Sequence, residues 1–310
     1  MGYQSWEQME RRKKIRRVIW IVLLLLFLCS AAYCGYHFYC KWKEGKQQQN
    51  YEDLHNRAFT TPSATPTDVP STATPTPTHA PTQEELLYKA LRAEYADFFT
   101  IQPDFDILRS ENEDIFAYIA IPGTIVDYPI LSHEVEDYYL DHNLDHSKGY
   151  PGCLYIQNCN DESLDDAVTI VYGHNMKNGT MFGSLKDYND AEFLGTHPYF
   201  FVYGEHRVMV YEIVIVSHIS EEHLFSDDYV KRDGKWVFTE FDGYETARML
   251  ERVRKEDGDR AYIAAPEPTA EDNLMVLSTC GEGRRFIIVG KRVLDIPRDF
   301  QHDDNTDGAE

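Results

Sequence analysis

Nineteen consecutive residues without a charge, Val18–Tyr36 (VIWIVLLLLFLCSAAYCGY), constrain this chain more than any other feature in it. A backbone in hydrocarbon must satisfy its own N–H and C=O groups, so a run of this kind folds as a helix. At about 1.5 Å per residue, that helix matches a bilayer core of about 30 Å. The preceding segment, RRKKIRR, is strongly basic, and Trp20 and Trp42 stand where aromatic side chains anchor at the two interfaces. Positive charge stays inside, so residues 1–17 are expected in the cytoplasm and everything beyond the helix outside the cell. A cleaved signal peptide is the alternative. The run is longer than the usual apolar region of such peptides, and a small-x-small cleavage signal around Ser30–Ala32 is weak. An uncleaved, single-pass signal anchor over residues 18–40 is therefore the expectation.

The charge on the two sides differs. Residues 1–46 hold nine Lys or Arg against three Glu, a net +6, so the rest of the chain carries −28 of the −22 total. An acidic body of that kind repels phosphate backbones, which makes nucleic acid a poor partner. Residues 41–82 read as an extracellular linker. Its polar first part, 44–58, could continue the helix. Its second part, Thr60–Thr82 (TTPSATPTDVPSTATPTPTHAPT), is dominated by Thr, Pro, Ala and Ser. That composition buries no apolar area, and proline interrupts regular hydrogen bonding, so the segment is a semi-extended spacer.

Globular character resumes at Gln83 and is expected to run to residue 298, leaving a polar tail at 299–310. Glu84–Phe99 places Leu86, Leu87, Ala90, Leu91 and Tyr95 at helical spacing. After it come short apolar runs rich in β-branched and aromatic residues, split by turn residues: 116–121, 124–130, 153–157, 167–173, 199–204, 207–219, 274–280 and 286–294. One helix is expected at 243–256, with Ala247, Leu250 and Val253 on its apolar face, and a short one after Asn189. Many short strands with few helices imply an antiparallel barrel or sandwich with helical insertions.

Three of these segments end on chemistry. The strand in TIVYGHNMKNGTMFGSL (Thr169–Leu185) delivers His174 at its exit, and histidine titrates near neutrality. The strand in MVLSTC (Met275–Cys280) ends on a cysteine, whose thiolate is a strong nucleophile when a cation or base is near. Arg284 and Arg285 open the next strand, RRFIIVGK; in a hairpin, an arginine there points back at the sulfur and can hold a developing oxyanion. Taken singly, each has a plainer explanation: a buried apolar cysteine, a turn histidine, surface arginines. Their common position at strand ends in a cysteine-poor domain argues for a shared role. The six cysteines suggest no disulfide framework, and a Cys153–Cys159 bridge stays open. The twelve histidines are scattered, with no HExxH, paired CxxC or EF-hand spacing, so no metal site is expected.

From Leu108 to Val293 the chain resembles the class B sortases of Gram-positive bacteria. The resemblance rests on NEDIFAYIAIPGTIVDYPIL (Asn112–Leu131), DYYLDHN (Asp137–Asn143), YGHNMKNGTMFGSL around His174 and LSTC at Cys280. It implies a mainly β fold, a sortase-type closed β-barrel of about eight strands, with an N-terminal helix and a helix inserted before the cysteine strand. It implies a cysteine transpeptidase that needs no cofactor, with Cys280 as nucleophile, His174 as the histidine and Arg285 as the arginine, Arg284 being its rival. Tyr172, Ser278 and Thr279 match positions bordering the family's substrate groove. The implied reaction cleaves a threonine-containing sorting motif in surface proteins and passes the acyl group to an amine. That amine belongs to a peptidoglycan precursor or, in the variant that polymerises pilins, to a lysine; a catalytically silent binding protein is the reading from a different class. Two departures stand out. The GEGR connection between Cys280 and Arg285 is short, and Glu136 and Asp137 occupy a region where relatives often carry asparagine.

Overall fold

The apolar run lies within one helix, α1 (Trp6–Ala58), in a computed structural model that describes residues 6–59, 81–221, 229–232, 235–238, 245–281 and 283–297. This helix is long and apolar enough to cross a bilayer, with a mean hydropathy of 2.5 over its most apolar window and none of that window buried against protein. The chain divides into two units, Met1–Gln49 and Asn50–Glu310. The second unit begins within α1, so the polar stretch up to Ala58 is helical, and its last turns belong to the globular body. There Tyr51, Leu54 and Ala58 are buried in the core. The Tyr51 hydroxyl donates to the Gly152 carbonyl at 3.0 Å, and His55 pairs with Asp127 at 3.1 Å. The expected spacer at 60–82 and tail at 299–310 lie almost wholly outside the described residues.

Thr82 starts α2 (Gln83–Glu94) with a reciprocal capping box: its hydroxyl accepts from the Glu85 N–H, and the Glu85 carboxylate accepts from the Thr82 N–H. The helical pattern seen in the sequence breaks at Tyr95, after which α3 (Ala96–Thr100) follows. Leu91, Tyr95 and Phe99 carry the buried face, while Leu86 is exposed. A further helix that the sequence pattern did not suggest, α4 (Phe105–Glu111), is capped by the Asp104 carboxylate, which accepts from two backbone N–H groups.

The strands are β1 (Ile115–Ala120), β2 (Asp127–Leu131), β3 (Leu154–Ile156), β4 (Val168–Tyr172), β5 (Tyr199–Tyr203), β6 (Arg207–Ile219), β7 (Tyr229–Arg232), β8 (Lys235–Phe238), β9 (Tyr262–Ile263), β10 (Leu274–Gly281) and β11 (Arg284–Pro297). Eight of them follow the order β11-β10-β4-β3-β2-β1-β5-β6, and the pairing of β6 with β11 closes the ring. β9 adds to β6 outside this circuit. Closure removes open edges, which a sandwich would keep. The barrel is not wholly antiparallel as expected: β2–β3 and β4–β10 run parallel. Alternation along a strand reports which residues share a face, not which way its neighbour runs. Parallel neighbours need crossovers, and the one between β4 and β10 takes in the whole span from β5 to β9.

β4 and β10 are buried along almost their full length, as strands covered on both faces are. Ile119, Ile130, Leu154, Ile170, Phe201, Val210, Leu277 and Ile288 are among the fully buried side chains. Each contributes about 1.5–3 kcal/mol by leaving water. α5 (Ala191–Thr196) follows Asn189, and α6 (Glu245–Glu256) precedes the cysteine strand. On α6 the buried face is Thr246, Met249, Leu250 and Val253; Ala247, assigned to it from sequence, is exposed. The two-stranded β7–β8 ribbon was missed, although the Asp-Gly pair between its strands is a hairpin signal.

Candidate active site

β10 lies between β4 and β11, and the three segments that end on chemistry come together there. In the antiparallel β10–β11 hairpin, Cys280 stands directly opposite Arg285. In the parallel β4–β10 pair, Tyr172 is level with Ser278, and the Gly173 N–H donates to the Ser278 carbonyl at 3.1 Å. His174 follows two residues after Tyr172, just beyond the last paired residue of β4, and Cys280 follows two residues after Ser278. Facing residues on paired strands share a side, and alternate residues share a side. Tyr172, Ser278, Cys280 and Arg285 therefore belong to one face. Thr279, Gly281, Arg284 and Phe286 belong to the other.

This separates the two arginines. The Arg285 guanidinium lies 5.1 Å from the centre of the Tyr172 ring, and its Nε donates to the Glu221 carbonyl at 2.8 Å. Arg284 turns the opposite way. It pairs with Asp257 at 3.4 Å and donates to the Glu256 carbonyl at 2.9 Å and to the His218 carbonyl. The same alternation divides the residues expected to border a groove: Tyr172 and Ser278 share the face of Cys280, whereas Thr279 does not.

His174 is held from two sides. Its Nε2–H donates to the Leu140 carbonyl at 2.6 Å, and the Tyr150 ring lies 4.8 Å from its own. In the neutral imidazole that bond puts the proton on Nε2 and leaves Nδ1 as the basic nitrogen. Gly173 lets the strand end come this close to the barrel, since a Cβ there would lie 2.4 Å from Leu154 Cδ2 and 2.7 Å from Phe182. The side-chain amide of Asn175 donates to the Cys280 carbonyl at 2.6 Å, tying the histidine loop to the cysteine. Asn175, Tyr150 and the Leu140 carbonyl were not singled out from sequence. Asn175 is inside the histidine motif, but its acceptor is 105 residues away. The Leu140 carbonyl is backbone and leaves no mark in a sequence.

Burial distinguishes the cysteines. Cys153 is 1% exposed, and burial pushes its thiol up to about 12, against a smaller downward pull from the Tyr51 hydroxyl. Cys280 is exposed at a strand end beside a cation. Cys153 and Cys159 are not bridged. Tyr172 is buried and donates to Gln157 Oε1 at 2.9 Å; burial raises its phenol above the usual range although Arg285 pulls it down. Next to it, the Tyr155 hydroxyl donates to Asp137 Oδ1 at 2.8 Å, with Asp137 in a left-handed conformation at φ 56°. Asparagine also tolerates that conformation. Among the described residues, no group of three His, Cys, Asp or Glu is placed to hold a metal.

No family model matches the chain. Among curated proteins, sortase B of Listeria monocytogenes is 32% identical over 191 residues, covering 60% of this chain and 72% of that protein. Among solved structures, Clostridium perfringens sortase B superposes with a TM-score of 0.51 at 25% identity, covering 61% of this chain and 99% of its own. A Staphylococcus aureus sortase B–substrate complex reaches a TM-score of 0.56 over 81% of this chain and 98% of its own; at 18% identity it speaks to the fold alone. With its closed barrel, its inserted helix and an exposed cysteine facing an arginine, the chain belongs to the sortase B family of cysteine transpeptidases.

Proposed function

We propose that Cys280, His174 and Arg285 carry out the transpeptidation by which this sortase anchors surface proteins. The Cys280 thiolate attacks the carbonyl carbon after the threonine of a short sorting motif, forming a C–S bond and a tetrahedral oxyanion. Arg285, facing the sulfur across the hairpin, stabilises that oxyanion and holds the peptide. The intermediate collapses, the C–N bond breaks, and protonated His174 gives its proton to the departing amine. An incoming amine then attacks the thioacyl carbon. It loses its proton to His174, and the sulfur leaves as thiolate, restoring the starting state. The chemistry uses no cofactor. The Leu140 carbonyl fixes the ring so that Nδ1 handles the proton, and Tyr172 supports the guanidinium from below. The substrate lies along the face shared by Tyr172, Ser278 and Cys280, and the helix keeps the enzyme in the membrane with residues 1–17 in the cytoplasm and the barrel outside.

The observation that carries this reading is the direct cross-strand pairing of Cys280 with Arg285, with His174 at the end of the adjoining strand. The test uses the full chain in detergent, a library of threonine-containing pentapeptides and two acceptors, a cell-wall-type amine and a protein lysine. Cys280→Ala is expected to lose both turnover and the covalent acyl adduct seen by mass spectrometry, while Cys153→Ala keeps both. Transpeptidation by the Cys280→Ala protein would refute the assignment. The acceptor that is consumed tells wall anchoring from pilin polymerisation.

A further inference from the structure

Behind the β10–β11 hairpin, on the face turned away from Cys280, is a cavity of about 600 Å³. That volume suits an organic molecule rather than a single ion. Its walls come from the hairpin (Thr279, Arg284, Phe286), the segment after β4 (Phe182, Lys186, Asn189) and the turn after α6 (Asp257, Arg260). Neither Cys280, His174 nor Arg285 lines it.

The charge of this lining runs against that of the molecule. Among the described residues of the lining, Lys186, Arg260 and Arg284 face one carboxylate, Asp257, in a chain of net charge −22. That carboxylate is already engaged. It accepts from the Ser217 hydroxyl at 3.0 Å and the His218 N–H at 2.8 Å, and it pairs with Arg260 at 3.0 Å and Arg284 at 3.4 Å. One carboxylate shared by two guanidiniums leaves positive charge over. Among the described residues Lys186 forms no ion pair. A second, independent sign is Thr279. It is 2% exposed and lines the cavity, and its hydroxyl has no hydrogen-bond partner. Buried polar groups are nearly always satisfied, so an orphan at a cavity wall points to an absent ligand. The remaining lining adds amides from Asn175 and Asn189, together with His218, Gly281 and the buried Phe182 and Phe286. Cations suit a phosphate, and amides and a hydroxyl suit sugar hydroxyls.

We propose that this cavity binds a sugar-sized phosphate ester, with its phosphate on Lys186, Arg260 and Arg284 and its hydroxyls toward Thr279. The site adjoins the transpeptidation face through Asn175 and Gly281 but contains none of Cys280, His174 and Arg285, and the proposal stands whether or not Cys280 is the nucleophile. The test is calorimetric titration of the full chain in uncharged detergent with glucose 1-phosphate, inorganic phosphate, a glycerol phosphodiester and glucose. Glucose 1-phosphate is expected to bind saturably and more tightly than inorganic phosphate, with no binding of glucose. Lys186→Gln and Arg260→Gln, both at exposed side chains, are each expected to weaken binding at least tenfold, and Thr279→Val at least threefold. Thermal melting checks that these variants fold, and Cys280→Ala still binds. Preference for the monoester identifies a free sugar phosphate as the source; equal binding of the diester identifies a phosphodiester polymer. No saturable binding of any phosphate, or binding unchanged in both Lys186→Gln and Arg260→Gln, would overturn the proposal.

Discussion

Asn175 ties the histidine loop to the cysteine strand, because its side-chain amide meets the Cys280 carbonyl at 2.6 Å. It touches backbone, so its effect on the reaction runs through the spacing of Cys280 and His174. Small misplacements of reacting groups lower rates by about 10²-fold. Asn175→Ala is therefore expected to lower kcat by about 10- to 100-fold with KM little changed, and to broaden or shift the pH profile of kcat. A KM effect alone would mark Asn175 as a substrate contact instead. Tyr51 gives a second residue-level expectation. Its buried hydroxyl donates to the Gly152 carbonyl and lies 3.2 Å from Cys153 Sγ. Tyr51→Phe leaves that carbonyl without its donor and is expected to cost about 1–2 kcal/mol in denaturant unfolding, without loss of transpeptidation. The residue types of this site were legible in the sequence, since Cys280, His174 and Arg285 each end or open an apolar strand. Which of Arg284 and Arg285 shares a face with Cys280 came from strand alternation once the hairpin register was known.

At the scale of elements, the site depends on how far β4 can push its end into the barrel. Gly173 sits where a Cβ would collide with Leu154 and Phe182. Gly173→Ala must move one of these or the strand, which costs about 1–3 kcal/mol as overpacking does. The expected outcome is a lower melting temperature together with a loss of kcat, because the displaced strand carries His174. A variant as active and as stable as the parent would show that the strand end is not held by this contact. The strands themselves were readable from their β-branched and aromatic runs. The β4–β10 parallel pairing was not, since it joins segments separated by seven other strands and α-helices and depends on a crossover. The exposed position of Ala247 was also beyond the apolar count, because the buried stripe of α6 centres on Met249, Leu250 and Val253.

For the whole molecule, Asp257 is the point where the barrel, the inserted helix and the site hairpin meet. Its carboxylate is 2% exposed and bonds the end of β6, Arg260 and Arg284. Burial pushes its pKa up, but the His218 N–H, the Ser217 hydroxyl and the two arginines outweigh burial and hold it below the usual carboxylate value. A carboxyl whose folded pKa is lowered stabilises the fold above its unfolded value of about 3.9, and that contribution fades as pH falls through the folded value. Asp257→Asn is thus expected to be less stable than the parent at neutral pH, and the gap should close below about pH 4. Unfolding midpoints of both proteins across that range check it; a gap that stays constant into strong acid would contradict the ion-pair account.

The amino-acid sequence alone determined the apolar helix, the body of short strands and the strands that end around Cys280, end just before His174 and open on Arg284 and Arg285. These are local properties, set by composition, hydropathy and periodicity along a continuous stretch. Barrel closure, the two parallel pairings, the separation of Arg285 from Arg284 and of Ser278 from Thr279, and the contacts of His174 and Asn175 were decided only in three dimensions. Each depends on which residues of distant strands stand level with one another, and a one-residue change of register turns every side chain to the opposite face.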